Sequence, residues 1–170
     1  MRGDDVKPIL FRGKAINRDP NREYRTSYKN GDWVYGLVSR LYDERFENLS
    51  AEMTNEDGVS GIDVDYRTIG EWTGFFDKNG NKVFDGDIIC FGNNNYEIFW
   101  NDESYQWQIR TVSGDWSSVA WDGELESSAI GNVTLGWVAA ELPILGQIST
   151  EVVGNKWDNP AMIHNQNYVG

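Results

Sequence analysis

The chain has 170 residues, which is enough for one substantial domain or for one domain with a smaller satellite. Its formal charge of −12 repels phosphate backbones and therefore disfavours general DNA or RNA binding. Eight Trp, eight Tyr, seven Phe and 18 Gly favour β-sheet, and the single cysteine, Cys90, excludes an internal disulfide and a cysteine metal cluster.

The first third of the chain predicts short strands and turns. Ile9–Lys14 is a first strand, and Arg18–Asn21 is a turn or loop. Tyr28–Val38 predicts a hairpin with Asn30–Gly31 at its tip, because Asn-Gly adopts the positive φ angles of a tight turn. Residues 41–61 are polar and acidic without clear periodicity, so we expect an elaborated loop there.

The centre of the chain predicts compact β structure. Residues 62–65 alternate between apolar and acidic, which is typical of a half-buried strand. Within Thr68–Ile89, we expect a two-residue turn at Asn79–Gly80 between two strands. Asp85–Gly86 then bends the chain into the apolar strand Asp87–Phe91.

The last part of the chain continues this pattern. Tyr96–Trp100 and Tyr105–Arg110 predict two strands, and Trp116–Trp121 predicts another short one. Residues 133–148 are apolar but interrupted by Gly and Pro, which favours strands or irregular packed chain over one helix. Residues 151–163 predict a last strand that leads into a short docked tail.

These elements predict an all-β fold, mainly antiparallel, with β-hairpins and little helix. We expect a single domain over residues 1–170. A boundary near residue 66 would divide it into an N-terminal β subdomain, 1–66, and a core, 67–163.

The charges are unevenly distributed along the chain. Residues 1–40 hold nine Lys or Arg against five Asp or Glu, whereas the remaining 130 residues hold six against 22. The basic segment suits docking on the acidic body of its own chain or of a neighbour, and both parts equally suit solvated surface. Residues 1–5 lack the apolar core of a signal peptide, and no window suits a membrane span, so we expect a soluble, intracellular protein.

Four ordered motifs resemble the YopX family of bacteriophage and prophage proteins. They are Ile9–Lys14, similar to the family's opening I-K-F-R-G-K; Trp33–Gly36; the central Thr68–Ile89; and Val152–Pro160, similar to V-I-G-N-I-Y-E-N-P. The chain departs from the family at Phe75–Phe76, where Leu-Lys is common. Residues 43–61 and 122–148 are longer than usual.

This resemblance implies a mostly β fold with a small SH3-like or partly open barrel core, which we place in residues 67–163. The resemblance implies self-association as well. It also implies a phage or prophage origin and residence in the cytoplasm of the bacterial host. It implies no reaction, so the catalytic residues remain unknown.

The sequence offers no strong metal or cofactor motif. Residues 77–88 superficially resemble a calcium loop, but Lys82 stands where Gly is needed and Ile88 where a bidentate Glu is needed. A zinc site or a Ser-His-Asp triad would rest on His164 alone, which we interpret as a surface residue. Ser60 does not lie in a Gly-x-Ser-x-Gly elbow, and no phosphate-binding Gly loop is present. We expect no metal and no cofactor.

Paired carboxylates are candidates for acid–base chemistry. The pairs are Asp63 with Asp65, Asp85 with Asp87, Asp102 with Glu103, and Glu124 with Glu126. Residues two apart on a strand share one face, so the first two pairs suit general acid–base work on a glycoside. Chance also produces such pairs among 27 acidic residues, and Asp in a turn usually accepts backbone N–H groups.

Aromatic residues of the second half have three alternative interpretations. The residues are Trp100, Tyr105, Trp107, Trp116 and Trp121. They form a stacking platform for sugars, or they fill the core of a thin β domain, or they anchor a protein interface.

We therefore expect a non-catalytic protein-binding module that self-associates into a small oligomer and engages a host or phage protein. One alternative is a carbohydrate-binding module or a carboxylate-based hydrolase. Another is an acidic DNA mimic that binds a host protein which interacts with DNA.

Overall fold

The computed structural model describes residues 8–16, 28–41, 50–91, 94–103, 105–111, 133–134, 148 and 150–164. The strands in this part of the chain are β1 (Phe11–Ala15), β2 (Trp33–Leu41), β3 (Ser50–Asn55), β4 (Ile62–Phe76), β5 (Lys82–Phe84), β6 (Asp87–Phe91), β7 (Asn94–Asn101), β8 (Gln106–Thr111), β9 (Val133–Thr134) and β10 (Val152–Asn155). A short helix, α1 (Pro160–His164), follows β10. The chain divides into two compact units, Met1–Trp72 and Thr73–Gly170.

In the first unit, four antiparallel strands close into a ring. β2 pairs with β1 and β3, β3 pairs with β4, and β4 returns to pair with β1. Irregularities in the register lie between Arg12 and Lys14 and between Val38 and Arg40. Such bulges bend strands and increase their twist, which helps so few strands to close.

The core of the ring follows from the two-residue period of its strands. Val34, Ala51, Met53 and Val64 are fully buried, one or two from each of β2, β3 and β4. Ala15 of β1 and Ile62 of β4 complete this cluster. The predicted alternation of residues 62–65 is therefore confirmed, because the aliphatic side chains face inward and the acidic ones are half-buried.

Two expectations for the first unit were wrong. Residues 41–61 contain β3, where we expected a loop. The sequence does not reveal this strand, because its inward residues, Ala51 and Met53, include only one large apolar side chain. Tyr28 and Lys29 are not in a strand, so the predicted hairpin does not form. The turn at Asn30–Gly31 exists, but β2 pairs with β1 and β3 instead.

The second unit contains an open antiparallel sheet in the order β10-β6-β7-β8-β9. Its core cluster contains Val83, Ile89, Tyr96, Ile98, Ile109 and Ile148, with Phe75, Trp107 and Val152 packed against it. Strands predicted over residues 87–91, 96–100 and 105–110 are confirmed as β6, β7 and β8, although β8 begins at Gln106.

The central hairpin joins the last residues of β4 to β5. Its loop has three residues, because Asp77 donates its N–H to the carbonyl of Asn81 at 2.8 Å. Gly80 has φ +84°, and Asn79 is not among the residues with positive φ. This is a type I turn closed by a residue in the left-handed region, not the two-residue turn predicted from Asn-Gly.

The predicted fold class is confirmed: the protein is mostly antiparallel β-sheet with a partly closed ring and no long helix among the described residues. The last strand and short tail are β10 and α1. The predicted elements at Arg18–Asn21 and Trp116–Trp121, and most of residues 133–148, lie outside the described residues. The division into subdomains 1–66 and 67–163 stays a prediction.

Candidate interaction surface

The central motif owes its shape to Asp77, a fully buried carboxylate. Its Oδ1 accepts the N–H groups of Asn79 and Asn81 at 2.9 and 2.8 Å. Its Oδ2 accepts Nδ2 of Asn81 at 3.0 Å and the N–H of Val152 at 3.2 Å. Burial raises the pKa of Asp77 and these hydrogen bonds lower it by more, so the pKa lies below its ordinary value of 3.8. Both oxygens of Asp77, the first residue of the calcium-like loop, therefore accept hydrogen bonds from the loop itself and from β10.

The Asp85–Gly86 turn is locked by the C-terminal motif. Gly86 has φ +79°, and its carbonyl accepts the N–H of Lys156 at 2.9 Å. A Cβ on Gly86 would lie 2.4 Å from the ring of Trp157. Glycine is therefore needed both for the backbone angle and for the aromatic ring that packs on it.

The C-terminal motif also stabilises itself. A Cβ on Gly154 would lie 2.5 Å from Oδ1 of Asn159, which accepts the N–H of Asn155 at 3.1 Å. Oδ1 of Asn155 accepts the N–H groups of Trp157 and Asp158 at 3.1 and 2.9 Å. These side chains fix the turn between β10 and α1, so the motif residues maintain the fold.

An ion cluster around one buried carboxylate ties the same turn to the sheet. The side chain of Glu97 is 8% exposed, and its Oε2 accepts Nη2 and Nε of Arg110 at 2.8 and 2.9 Å. Its Oε1 accepts Nζ of Lys156 at 3.3 Å. Arg110 and Lys156 also lie 4.6 and 4.7 Å from the ring centres of Phe99 and Trp157. Each charge is therefore neutralised at the place where it is partly desolvated.

The candidate carboxylate pairs do not share one environment. Asp87 is buried and accepts the N–H of Phe84 at 2.8 Å, whereas Asp85 is half-buried in the preceding turn. Asp102 and Glu103 are exposed in the turn between β7 and β8. Glu124 and Glu126 lie outside the described residues. The Asp87 carboxylate thus holds the turn, and the two members of this pair differ in exposure.

The other single candidate residues of the sequence lie at the surface, near it or at the end of an element. Ser60 is exposed, Cys90 is partly exposed, and His164 is the last residue of α1. Within the described ranges, His, Cys, Asp and Glu side chains form no group of three that would hold a metal ion. No helix in the described part of the chain has the length and apolar character needed to cross a membrane.

One outer side of the ring is basic and aromatic. Strand pairing places Lys14 beside Trp33 and Arg12 beside Tyr35 on the outer side of β1 and β2, where Arg12 is covered and only 5% exposed. Nζ of Lys14 and Cζ of Arg12 lie 5.3 and 4.6 Å from the centre of the Trp33 ring. Tyr35 and Leu37 are 37% and 53% exposed. We call these five residues the basic-aromatic face.

The side of the ring next to this face is acidic, and the two sides adjoin where Lys14 of β1 pairs with Asp65 of β4. Glu52 of β3 pairs with Asp63 of β4, so their side chains share the outer surface. Asp65 follows two residues later, and its two oxygens accept Nε and Nη2 of Arg67 at 2.9 and 2.7 Å. These hydrogen bonds lower the pKa of Asp65 below its ordinary value of 3.8, which makes it a poor general acid. We call Glu52, Asp63 and Asp65 the acidic face.

The aromatic residues of the second unit lie near one hairpin tip. Trp100 of β7 pairs with Trp107 of β8, and their ring centres are 5.2 Å apart at an interplanar angle of 68°. Trp107 packs against the core, Trp100 is 40% exposed, and Tyr105 is 79% exposed. Trp116 and Trp121 lie outside the described residues. One ring is therefore core, and two are exposed.

The fold defines the class of this protein: it is a small all-β protein of antiparallel sheets. Its central and C-terminal motifs contain the residues that fix the turns between its strands. The family model described as YopX protein matches residues 23–134, and the chain belongs to the YopX family. This range includes the Trp33–Gly36 and Thr68–Ile89 motifs, whereas the first and last motifs lie outside it. None of the curated proteins matches the sequence.

The sequence alone did not predict the two faces of the ring. A signal for the first was present, because Trp33, Tyr35 and Leu37 alternate with Val34 and Gly36 along β2. That alternation places large apolar residues on both faces of a strand, only one of which can face the ring core. The acidic face depends on β3, which the sequence did not reveal.

Proposed function

We propose that this protein acts by binding rather than by catalysis, as a self-associating accessory protein encoded by a phage or prophage. In this proposal it works in the cytoplasm of the bacterial host and engages a host or phage protein. The division of the ring's outer surface into a basic-aromatic face and an acidic face supports self-association. Membership of the YopX family supports the phage source. Residues of the central and C-terminal family motifs stabilise turns of the fold, which favours binding over catalysis.

A second copy of the chain is the partner that the charges favour. Each copy carries −12 overall, so two copies repel one another unless a contact brings opposite charges together. Residues 1–40 have a surplus of four positive charges, and they include β1 and most of β2. We therefore propose that the basic-aromatic face of one copy docks on the acidic face of another.

Faces suit this contact better than strand edges do. In the ring, each of the four strands has neighbours on both sides, so a strand of another chain has no open edge to extend there. Side chains must then make the contact. Tyr35 and Leu37 supply exposed apolar surface for affinity, and Lys14 supplies a charge that orients the two copies.

Charge reversal tests this arrangement. We expect Lys14→Glu and Asp63→Lys to weaken self-association about tenfold each, because each places like charges together at the interface. The double variant places opposite charges together again and should recover most of the loss. Analytical ultracentrifugation over a range of protein concentrations measures each dissociation constant. A double variant that associates no better than the single variants contradicts the proposed docking.

Salt provides an independent control. Raising the ionic strength screens charges that are partly exposed, so the wild-type oligomer should weaken as salt increases. The double variant should show the same salt dependence as the wild type, since it has the same number of opposed charges. An oligomer insensitive to salt would mean that the two faces do not meet.

A further inference from the structure

The tip of the hairpin between β7 and β8 combines exposed aromatic rings with exposed carboxylates. Trp100 is the next-to-last residue of β7, and Tyr105 directly precedes β8. Asp102 and Glu103 are exposed in the turn that joins the strands. This tip belongs to the second unit and contains no residue of the two ring faces, so an inference about it does not depend on self-association.

The fold does not account for a tyrosine at position 105. Tyr105 has φ +53°, which lies in the left-handed region of backbone conformation. Glycine and asparagine adopt this region at a lower energetic cost than an aromatic residue does. Its side chain is also 79% exposed, so burial gives little in return. A backbone in this unfavourable region, held at a turn, is the kind of outlier that points to a binding role.

The neighbouring tryptophan is held in place from below. Trp107 packs against the core of the sheet and meets Trp100 at 5.2 Å with the rings close to perpendicular. Trp100 therefore has a fixed support, while 40% of its surface remains open to solvent. A ring that is already ordered loses little conformational entropy when a ligand stacks on it.

The charges at the tip select the kind of ligand. The face of an aromatic ring is negative, and Asp102 and Glu103 add two carboxylates at the same turn. A cationic group gains from both attractions, a neutral sugar gains only stacking and hydrogen bonds, and a phosphate backbone is repelled. The protein already uses this contact internally, with Arg12 4.6 Å from the centre of the Trp33 ring.

We propose that this hairpin tip binds a basic segment of another protein, with an Arg or Lys side chain stacked on Tyr105 and paired with Asp102 or Glu103, while Trp100 offers a second ring. The segment is a linear peptide with at least two cationic residues. Rings supply cation–π contact, and carboxylates supply charge-assisted hydrogen bonds that orient the guanidinium or ammonium group.

The experiment is a titration of the full-length ¹⁵N-labelled protein with the acetylated, amidated peptide Gly-Arg-Lys-Arg-Gly. We expect saturable shifts of amide signals confined to residues 100–107. A peptide of the same length with Gln at the three cationic positions should bind at least tenfold more weakly. Equal binding of the two peptides, or no saturable shift with the basic one, overturns the proposal.

Two variants separate binding from folding. Tyr105→Gly removes the ring and relieves the positive φ, so it should weaken peptide binding about three- to tenfold without lowering Tm. Asp102→Asn with Glu103→Gln should weaken binding and reduce its salt dependence, whereas Asp57→Asn, at an exposed turn of the first unit, should do neither. Unchanged binding by Tyr105→Gly overturns the proposal, as do saturable shifts with a chitin oligosaccharide but not with the basic peptide.

Discussion

The two units of this protein manage their strand edges in different ways. In the first unit, β1 to β4 form a closed ring, in which each strand pairs with a neighbour on both sides. In the second unit the sheet is open, and β10 lies at one edge. Side chains block that edge, because Asp77 accepts the N–H of Val152 and Asn159 accepts the N–H of Asn155.

This difference separates what backbone closure achieves from what side-chain capping achieves. Closure of the ring satisfies the backbone hydrogen-bonding groups of each strand whatever its side chains are. The outer surface of the ring can therefore carry charges and aromatic rings. Capping needs particular residues. In the second unit the central and C-terminal motifs supply them at Asp77, Gly86, Gly154 and Asn155. In the second unit, motif residues therefore cap the open sheet, whereas the motifs Ile9–Lys14 and Trp33–Gly36 supply most of the basic-aromatic face of the closed ring.

The largest effect should come from the core of the ring. Met53→Ala removes a fully buried side chain and should lower the free energy of unfolding of the first unit by about 2–5 kcal/mol. If the units fold independently, amide hydrogen exchange should accelerate in β1 to β4 and remain unchanged in β6 to β8. Mass spectrometry of peptic fragments measures this. Equal acceleration in both units would show that they unfold together, against the predicted subdomains.

A nearly as large effect should follow from closing the space above Gly86. Gly86→Ala puts a methyl group against the ring of Trp157 at a backbone angle of +79°, which should cost about 2–4 kcal/mol. Gly80→Ala is a matched control, because it has φ +84° and no atom within 4 Å of the added Cβ.

That control should cost only about 1 kcal/mol, since it retains the backbone penalty without the collision. Chemical denaturation at pH 7 measures both variants. Equal losses would show that the Trp157 ring yields without cost and that backbone strain alone explains the glycine.

The edge cap at Asp77 should show a pH dependence that the ring core lacks. Because the pKa of Asp77 is lowered on folding, its stabilisation is present above its ordinary value of 3.8 and is lost as pH falls through the folded pKa. Asp77→Asn should cost about 1–3 kcal/mol at pH 7, and the difference from the wild type should shrink below about pH 4. Urea denaturation from pH 7 to pH 3 tests this, and a loss that is constant with pH contradicts the role of the charge.

The smallest effect on stability should come from the basic-aromatic face. Leu37→Ser changes a side chain that is 53% exposed and should alter unfolding by no more than about 0.5 kcal/mol, while it weakens self-association. Leu41→Ser is a matched control on the same strand. Leu41 is 65% exposed, but it pairs with Ala51 beyond the register shift and so lies on the other surface of the sheet.

Sedimentation velocity at one protein concentration distinguishes these two variants. The Leu41 variant should sediment like the wild type, and the Leu37 variant should shift toward monomer. The same shift in both variants would indicate general loss of apolar surface instead of a specific face.

Much of the fold was readable from local patterns. Turn signals at Asn79–Gly80 and Asp85–Gly86, and the alternation in 62–65, placed the central strands because these features depend on neighbouring residues only. β3 was not readable, because Ala51 and Met53 gain their burial from strands distant in sequence. The type of the central turn was also missed, since the buried Asp77 carboxylate selects three loop residues over two.

The candidate sites divide in the same way. Exposed aromatics at Trp100 and Tyr105 were singled out from composition, whereas the pairing of a basic-aromatic face with an acidic face required the closed ring. Pairing between β1 and β4 joins residues about 50 to 60 positions apart in the chain, and no local pattern encodes such a contact.

By itself, the sequence determined the β character, the acidic balance, the main turns and the YopX family, because each depends on residue type and short spacing. Tertiary structure decided which residues hold the open sheet together and which are left on the surface of the ring. That division depends on strand register, which sets the direction of every side chain and is fixed only when distant strands pair.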